Sequence, residues 1–209
     1  MTDLAQLTAA IEAGDRSMAV TITKKAIEES MAPESILAAM TTAMQVVGEK
    51  FQREEIYVPE MLVSARAMKE ATLLLEPLLV AAGIRPEFRA VIGTVVGDLH
   101  DIGKNLVAMM WRSANIEVID LGANVPAERF VDAVRETNAD LVGISALLTT
   151  TMVGMRDVVE ALRAAGLAKV KVVIGGAPVT EAFADQIGAH GYAADAALAV
   201  KVAMALLRA

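Results

Sequence analysis

The chain has 209 residues, a formal net charge of −7 and no cysteine, which excludes a disulfide-stapled scaffold, a thiol nucleophile, an iron–sulfur cluster and a Cys-built zinc site. The acidic balance and an aromatic content of 3% argue against a nucleic-acid partner, because such binders need a basic footprint and stacking rings. The longest charge-free run, residues 141–155, has 15 residues including a Ser and three Thr. It falls short of the roughly 20 apolar residues of a membrane span, so the 55% hydrophobic content is core and no membrane partner is expected.

Residues 1–84 read as helices. Asp3 to Ala13 forms the first, closed by Gly14; Asp15 is the N-cap of a second reaching about Met31. Pro33 suits the first turn of a third, in which Ile36, Met40, Ala43, Val47 and Phe51 make one buried stripe. Pro59 opens a fourth, with Met61, Ala65, Met68, Thr72 and Leu75 on one side, and Gly83 and Pro86 end it. The expectation is a four-helix bundle over 1–84, a linker over 85–89, and a second domain over 90–209.

From Ala90 the period changes. Ala90 to Val96, Ile116 to Leu121, Leu141 to Leu147 and Val170 to Ile174 are short apolar runs, each followed by a helix-length amphipathic stretch. Tyr192 to Ala194 adds a short fifth strand before a helix from Asp195 to Arg208. Strands apolar on both faces and separated by helices predict an α/β fold with an open, doubly wound parallel sheet. Ligands in such sheets sit beyond the carboxyl ends of the strands. Charge does not separate the halves, since residues 1–89 and 90–209 carry nets of −4 and −3.

The first strand runs into Gly97-Asp98-Leu99-His100-Asp101-Ile102-Gly103-Lys104-Asn105, at the edge where ligands bind. Asp98, His100 and Gly103 resemble the Asp-x-His-x-x-Gly signature of the cobalamin-binding domain found in methionine synthase, B12-dependent mutases and corrinoid proteins of methyltransferase systems. Ser145-Ala146-Leu147 after the third strand resembles that family's Ser-x-Leu, and Gly175-Gly176 after the fourth its paired glycines. Tyr57-Val58-Pro59-Glu60-Met61, followed by Ser64-Ala65-Arg66, is similar to the helical cap of methionine synthase and of methanol, methylamine and aryl-ether corrinoid proteins. The resemblance implies an N-terminal four-helix cap followed by a flavodoxin-like, Rossmann-like B12-binding domain.

The resemblance also implies a cobalamin or related corrinoid cofactor, with His100 as the cobalt ligand. A neutral imidazole suits cobalt, and one protein ligand is enough because the corrin supplies four nitrogens. Asp98, two residues earlier, is placed to accept the other ring N–H and so fix the tautomer. In the family the cofactor's nucleotide tail enters a slot beside the sheet. The implied cofactor-binding set is Asp98, His100, Asp101, Ile102, Gly103, Ser145, Leu147, Thr149, Gly175 and Gly176, with Tyr57 and Met61 from the cap. The implied activity is methyl carriage on cobalt. A substrate-specific methyltransferase donates and a second methyltransferase, acting on tetrahydrofolate or a thiol, accepts; a reductive activator is a further implied partner. The resemblance implies a corrinoid subunit of a methyltransferase system rather than a stand-alone catalyst. A cobalamin-dependent regulatory or sensor module is the alternative reading.

Other chemistries are poorly supported. His100 and His190 are the two histidines, so zinc would need two or more added carboxylates, and His190 reads as a surface or loop residue. Gly143-Ile144-Ser145-Ala146-Leu147 lacks the second glycine of a nucleophile elbow. No Walker lysine loop or G-x-G-x-x-G fingerprint follows a strand. Met1-Thr2-Asp3 opens with an acid rather than a basic region before an apolar one, and the cytoplasm is the expected compartment.

Overall fold

Asp3 and Asp15 begin the first two helices through their carboxylates. Asp3 accepts from the Ala5 N–H at 2.9 Å and Asp15 from the Met18 N–H at 2.9 Å, satisfying N–H groups that a helix start leaves unpaired. In the computed structural model, which describes residues 2–209, the chain divides into two units. One runs to Pro86 and includes Ser113–Asn115; the other comprises Glu87–Arg112 and Ile116–Ala209.

The first unit holds α1 (Leu4–Glu12), α2 (Arg16–Glu28), α3 (Pro33–Gln52) and α4 (Val58–Ala81). The predicted stripe of α3 is buried at Ile36, Met40, Ala43 and Val47, and that of α4 at Met61, Ala65, Met68 and Leu75. Gly14, at φ +69°, closes the turn after α1 where a Cβ would meet Val63 Cγ2 at 2.6 Å, a conformation and an approach that favour glycine. The Ser64 hydroxyl donates to the Glu12 carbonyl at 3.1 Å, and Lys50 pairs with Glu12 at 2.8 Å.

The second unit alternates β1 (Phe88–Thr94), α5 (Ile102–Ser113), β2 (Ile116–Asp120), α6 (Ala127–Thr137), β3 (Leu141–Ser145), α7 (Val153–Ala164), β4 (Lys171–Gly175), α8 (Glu181–Ile187), β5 (Gly191–Tyr192) and α9 (Ala196–Leu207). All pairings are parallel and the strand order is β2-β1-β3-β4-β5, the flavodoxin-like order with its switch point between β1 and β3. One face buries Val91, Val142, Ile144, Val172 and Ile174 with Phe130, Val134, Met155 and Val158. The other buries Ala90, Ile92, Leu141 and Val173 with Trp111, Ala199 and Ala203. Trp111 donates its Nε1–H to the Ala199 carbonyl at 3.0 Å, joining α5 to α9. Its ring occupies the space over Gly143, where a Cβ would lie 2.7 Å from it.

Strand β1 starts two residues earlier than expected, inside the predicted 85–89 linker. Phe88 pairs with Ile116 in register, the Arg89 N–H donates to the Asp140 carboxylate at 2.9 Å, and the Arg89 guanidinium pairs with Glu117 at 2.8 Å. These partners lie on β2 or just before β3, so the apolar run beginning at Ala90 could not announce them. At the opposite end the β1–β3 ladder stops at Thr94 and Ser145. Val95, Val96, Ala146 and Leu147 are therefore loop residues beyond the strands, on the side where the site lies.

Candidate functional site

The loop between β1 and α5 turns on Gly97, at φ +82°, and then buries an acid. Asp98 has no exposed surface. One of its oxygens, Oδ1, accepts from the His100 Nδ1–H at 2.8 Å and from the His100 backbone N–H at 3.0 Å. The other, Oδ2, accepts from the Leu147 N–H at 2.8 Å and the Thr151 hydroxyl at 2.6 Å. Burial pushes the carboxyl's pKa up. The Thr151 hydroxyl, the Leu147 N–H and the His100 backbone and ring outweigh it and hold the group well below the usual carboxylate range. An ionised carboxylate can only accept, so Nδ1 carries a proton, and in the neutral form of the ring the lone pair lies on Nε2.

That ring is half-exposed, with 52% of the His100 side chain open, while its carboxylate partner is sealed. The Thr94 hydroxyl donates to the His100 carbonyl at 3.0 Å, holding the residue from behind. Leu99 and Ile102, 76% and 80% exposed, flank it with apolar surface. Helix α5 begins at Ile102, and Gly103 in its first turn has nothing within 4 Å of where a Cβ would stand. Asp101 is half-buried, and its carboxylate accepts from the Asn105 side-chain amide at 3.0 Å. The site thus offers one oriented imidazole nitrogen, an apolar rim and open space beside a glycine.

The β3 and β4 ends close in next to it. Gly175 is in register with Ser145, and a Cβ on it would lie 2.8 Å from the Ala193 carbonyl oxygen. Gly176, at φ +137°, crosses the Ala146 carbonyl so tightly that a Cβ would fall 1.8 Å from its oxygen. Only a residue without a side chain fits. Thr149 is exposed; the hydroxyl that reaches Asp98 belongs to Thr151, two residues on. A run of three threonines carries no periodicity that would single out the third.

In the helical unit Tyr57 is 65% exposed at the start of α4, its N–H capped by the Glu60 carboxylate at 3.1 Å. Met61, one turn on, is fully buried. It therefore offers no open face as placed. His190, outside the site, accepts from the Val172 N–H through Nδ1 at 2.9 Å, and burial with Lys171 and Arg163 nearby holds its pKa below the ordinary histidine value.

Comparison with known families decides what this arrangement belongs to. A family described as a B12 binding domain matches residues 88–201, and a second of the same description matches residues 3–76. The chain belongs to the B12-binding corrinoid proteins. Among similar corrinoid proteins, a dimethylamine corrinoid protein of Methanosarcina acetivorans is 45% identical over 188 residues, covering 88% of this chain and 88% of its own. A corrinoid protein of Desulfitobacterium hafniense is 37% identical over 212 residues, covering 99% and 98%. Two solved structures resemble the fold over nearly its whole length. A cobalamin-binding protein from Desulfitobacterium hafniense has a TM-score of 0.84 and 32% identity, covering 99% of both chains. A chain of the methanol:cobalamin methyltransferase complex from Methanosarcina barkeri has a TM-score of 0.87 and 31% identity, covering 98% of this chain and 80% of that one.

The cofactor of this corrinoid protein is cobalamin or a related corrinoid, and the residues present fit it. A macrocycle that brings four nitrogens of its own would need at most one nitrogen from the protein, and the half-exposed His100 ring has the chemistry to supply it. The open space at Gly103 and the exposed Leu99 and Ile102 suit a large, partly apolar ligand.

Proposed function

We propose that this corrinoid protein is a methyl carrier in which His100 would hold the cofactor's metal. A partner methyltransferase delivers the methyl group, and a second methyltransferase removes it to tetrahydrofolate or a thiol. The single observation that carries this reading is the His100 ring held at 2.8 Å by a buried Asp98, with its other nitrogen edge half-exposed. The dimethylamine corrinoid relatives and the methanol methyltransferase complex support the donor side. A reductive activator that restores the cofactor, and a cytoplasmic location, belong to the same proposal.

When bound, the corrinoid supplies a cobalt centre able to take up and release a methyl group. The chain supplies everything that orients it. Asp98 fixes the tautomer of His100 and increases the basicity of Nε2, as hydrogen-bonded carboxylates do for metal-bound imidazoles. Ser145 brings a hydroxyl to the end of β3, and the bare backbone of Gly175 and Gly176 allows a close approach; we assign these three, with Gly103, Asp101, Ile102, Leu147 and Thr149, to the slot for the cofactor's tail. Tyr57 is the cap residue that we assign to the helical unit.

Reconstitution with hydroxocobalamin, followed by visible spectroscopy of the wild type and His100→Ala, tests the core of the reading. The expected result is tight retention by the wild type and a shifted spectrum with weaker retention in the variant. Failure of the wild type to retain any corrinoid overturns the reading, whereas a spectrum unaffected by the substitution removes His100 as the ligand.

A further inference from the structure

The end of β2 and the loop that joins it to α6 grip the His100 segment on both sides, and none of these residues has a place in the site as assigned so far. Before His100, the Asn124 Oδ1 accepts the Gly97 N–H at 2.8 Å, and the Asn124 N–H donates to the Asp98 carbonyl at 2.9 Å. After His100, the buried Lys104 on α5 sets its ammonium 2.6 Å from both Asp120 carboxylate oxygens and 2.6 Å from the Asn105 side-chain oxygen. Asp120 is tied to its own loop by the Gly122 N–H at 2.9 Å. Upstream of both grips, the Gly122 carbonyl accepts the Thr94 N–H at 3.0 Å and the Val125 N–H donates to the Thr94 carbonyl at 2.9 Å. Asn124 holds φ +57°, a left-handed conformation that asparagine tolerates better than other residues with side chains. That conformation lets its side chain and its own N–H reach the peptides on either side of the 97–98 bond in the neighbouring loop.

We infer that Asn124 is a positioning residue for the axial ligand, acting with the Lys104–Asp120 pair as a brace that fixes both ends of segment 97–104 and so aims the Nε2 atom of His100. This inference rests on His100 being the ligand, as proposed above. The carboxylate of Asp98 fixes how the ring is rotated, but the position of that carboxylate depends on the backbone at residues 97 and 98. A displacement there carries the ring with it, and ligation geometry is sensitive to shifts well below 1 Å. Asn124 holds this stretch of backbone without touching the ring.

The test uses Asn124→Gly, which keeps the left-handed backbone and deletes the amide, and Asn124→Asp, which restores an acceptor for the Gly97 N–H. Two readouts apply. In the cofactor-free protein, amide exchange followed by NMR should show protection at Gly97 falling at least tenfold in Asn124→Gly and returning in Asn124→Asp. In the hydroxocobalamin-loaded protein, the visible spectrum should show the His-ligated fraction falling by at least half in Asn124→Gly and recovering in Asn124→Asp. Lys104→Met, which releases the other grip, should lower the same fraction. Loss of Gly97 protection with an unchanged spectrum overturns the inference and leaves Asn124 a purely structural residue. Unchanged protection at Gly97 overturns it as well. A spectrum insensitive to His100→Ala in the wild-type background indicts the ligand assignment instead, separating the two failures.

Discussion

Asp98 accepts four hydrogen bonds while buried, and its depressed pKa makes it a source of pH-dependent stability. A carboxyl whose folded pKa lies below its unfolded value of about 3.9 contributes fully above that value, and the contribution is lost as pH falls through the folded pKa. Asp98→Asn, which turns an amide against two of the four donors, should therefore cost about 2–3 kcal/mol near neutral pH. The gap from the wild type should narrow once pH drops below about 4. Urea melts at several pH values check this, and parallel loss of stability in both proteins would refute it. The Asp98–His100 pair was legible because the two residues are two positions apart in one loop. Thr151 and Asn124 were not, because their partners lie 53 and 27 residues away and nothing local requires a Thr or an Asn there. Met61 stood on the correct helical stripe, but a periodic stripe marks burial, and burial is what the structure gives it.

At the level of the elements, the glycines of the candidate site divide into two kinds. Gly176 leaves β4 through a gap that admits no side chain, with a Cβ position 1.8 Å from the Ala146 carbonyl oxygen and φ +137°. Gly176→Ala should cost at least about 3 kcal/mol, a fall in Tm of about 6–12 °C for a chain of this size. Gly103 lies inside the first turn of α5 with open space around it, so Gly103→Ala should leave stability unchanged or raise it by about 0.5–1 kcal/mol of helix propensity. It should also weaken retention of hydroxocobalamin at least tenfold, because its methyl enters the space we assign to the cofactor. Calorimetry and a retention assay on the two variants separate a glycine that the fold itself requires from one that leaves open space for the ligand. Both look alike in the sequence, where a glycine at a strand end signals close approach without naming what approaches. Helix starts were easier to read, since Asp3, Asp15, Pro33 and Pro59 act on their own neighbours.

For the molecule as a whole, the change from helical stripes to alternating strands and helices marks a change of architecture along the sequence. The order of the strands was not legible, because one βαβα rhythm serves several orders. What selects β2-β1-β3-β4-β5 is which helices share a sheet face: Trp111 of α5 bonds to α9 over Gly143, while Phe130 of α6 and Met155 of α7 fill the other side. Each face of the sheet is thus covered from within Glu87–Ala209, apart from the short 113–115 stretch. Residues Ala81–Gly83 and Arg85–Glu87 are exposed. A low-specificity protease at low dose should cut between Ala81 and Glu87 first. The C-terminal fragment should keep its far-UV circular dichroism, and rapid loss of that signal on cleavage would show that its core is not self-sufficient.

Trp111 is the single tryptophan of the chain, and it lies in the same helix as Gly103, roughly 14 Å along the axis from Ile102. A coloured ligand seated over the first turn of α5 comes close enough to drain its excited state by energy transfer. Ultraviolet emission from the unlabelled molecule is therefore an optical gauge of occupancy, with no dye to attach and no second indole to confuse the signal.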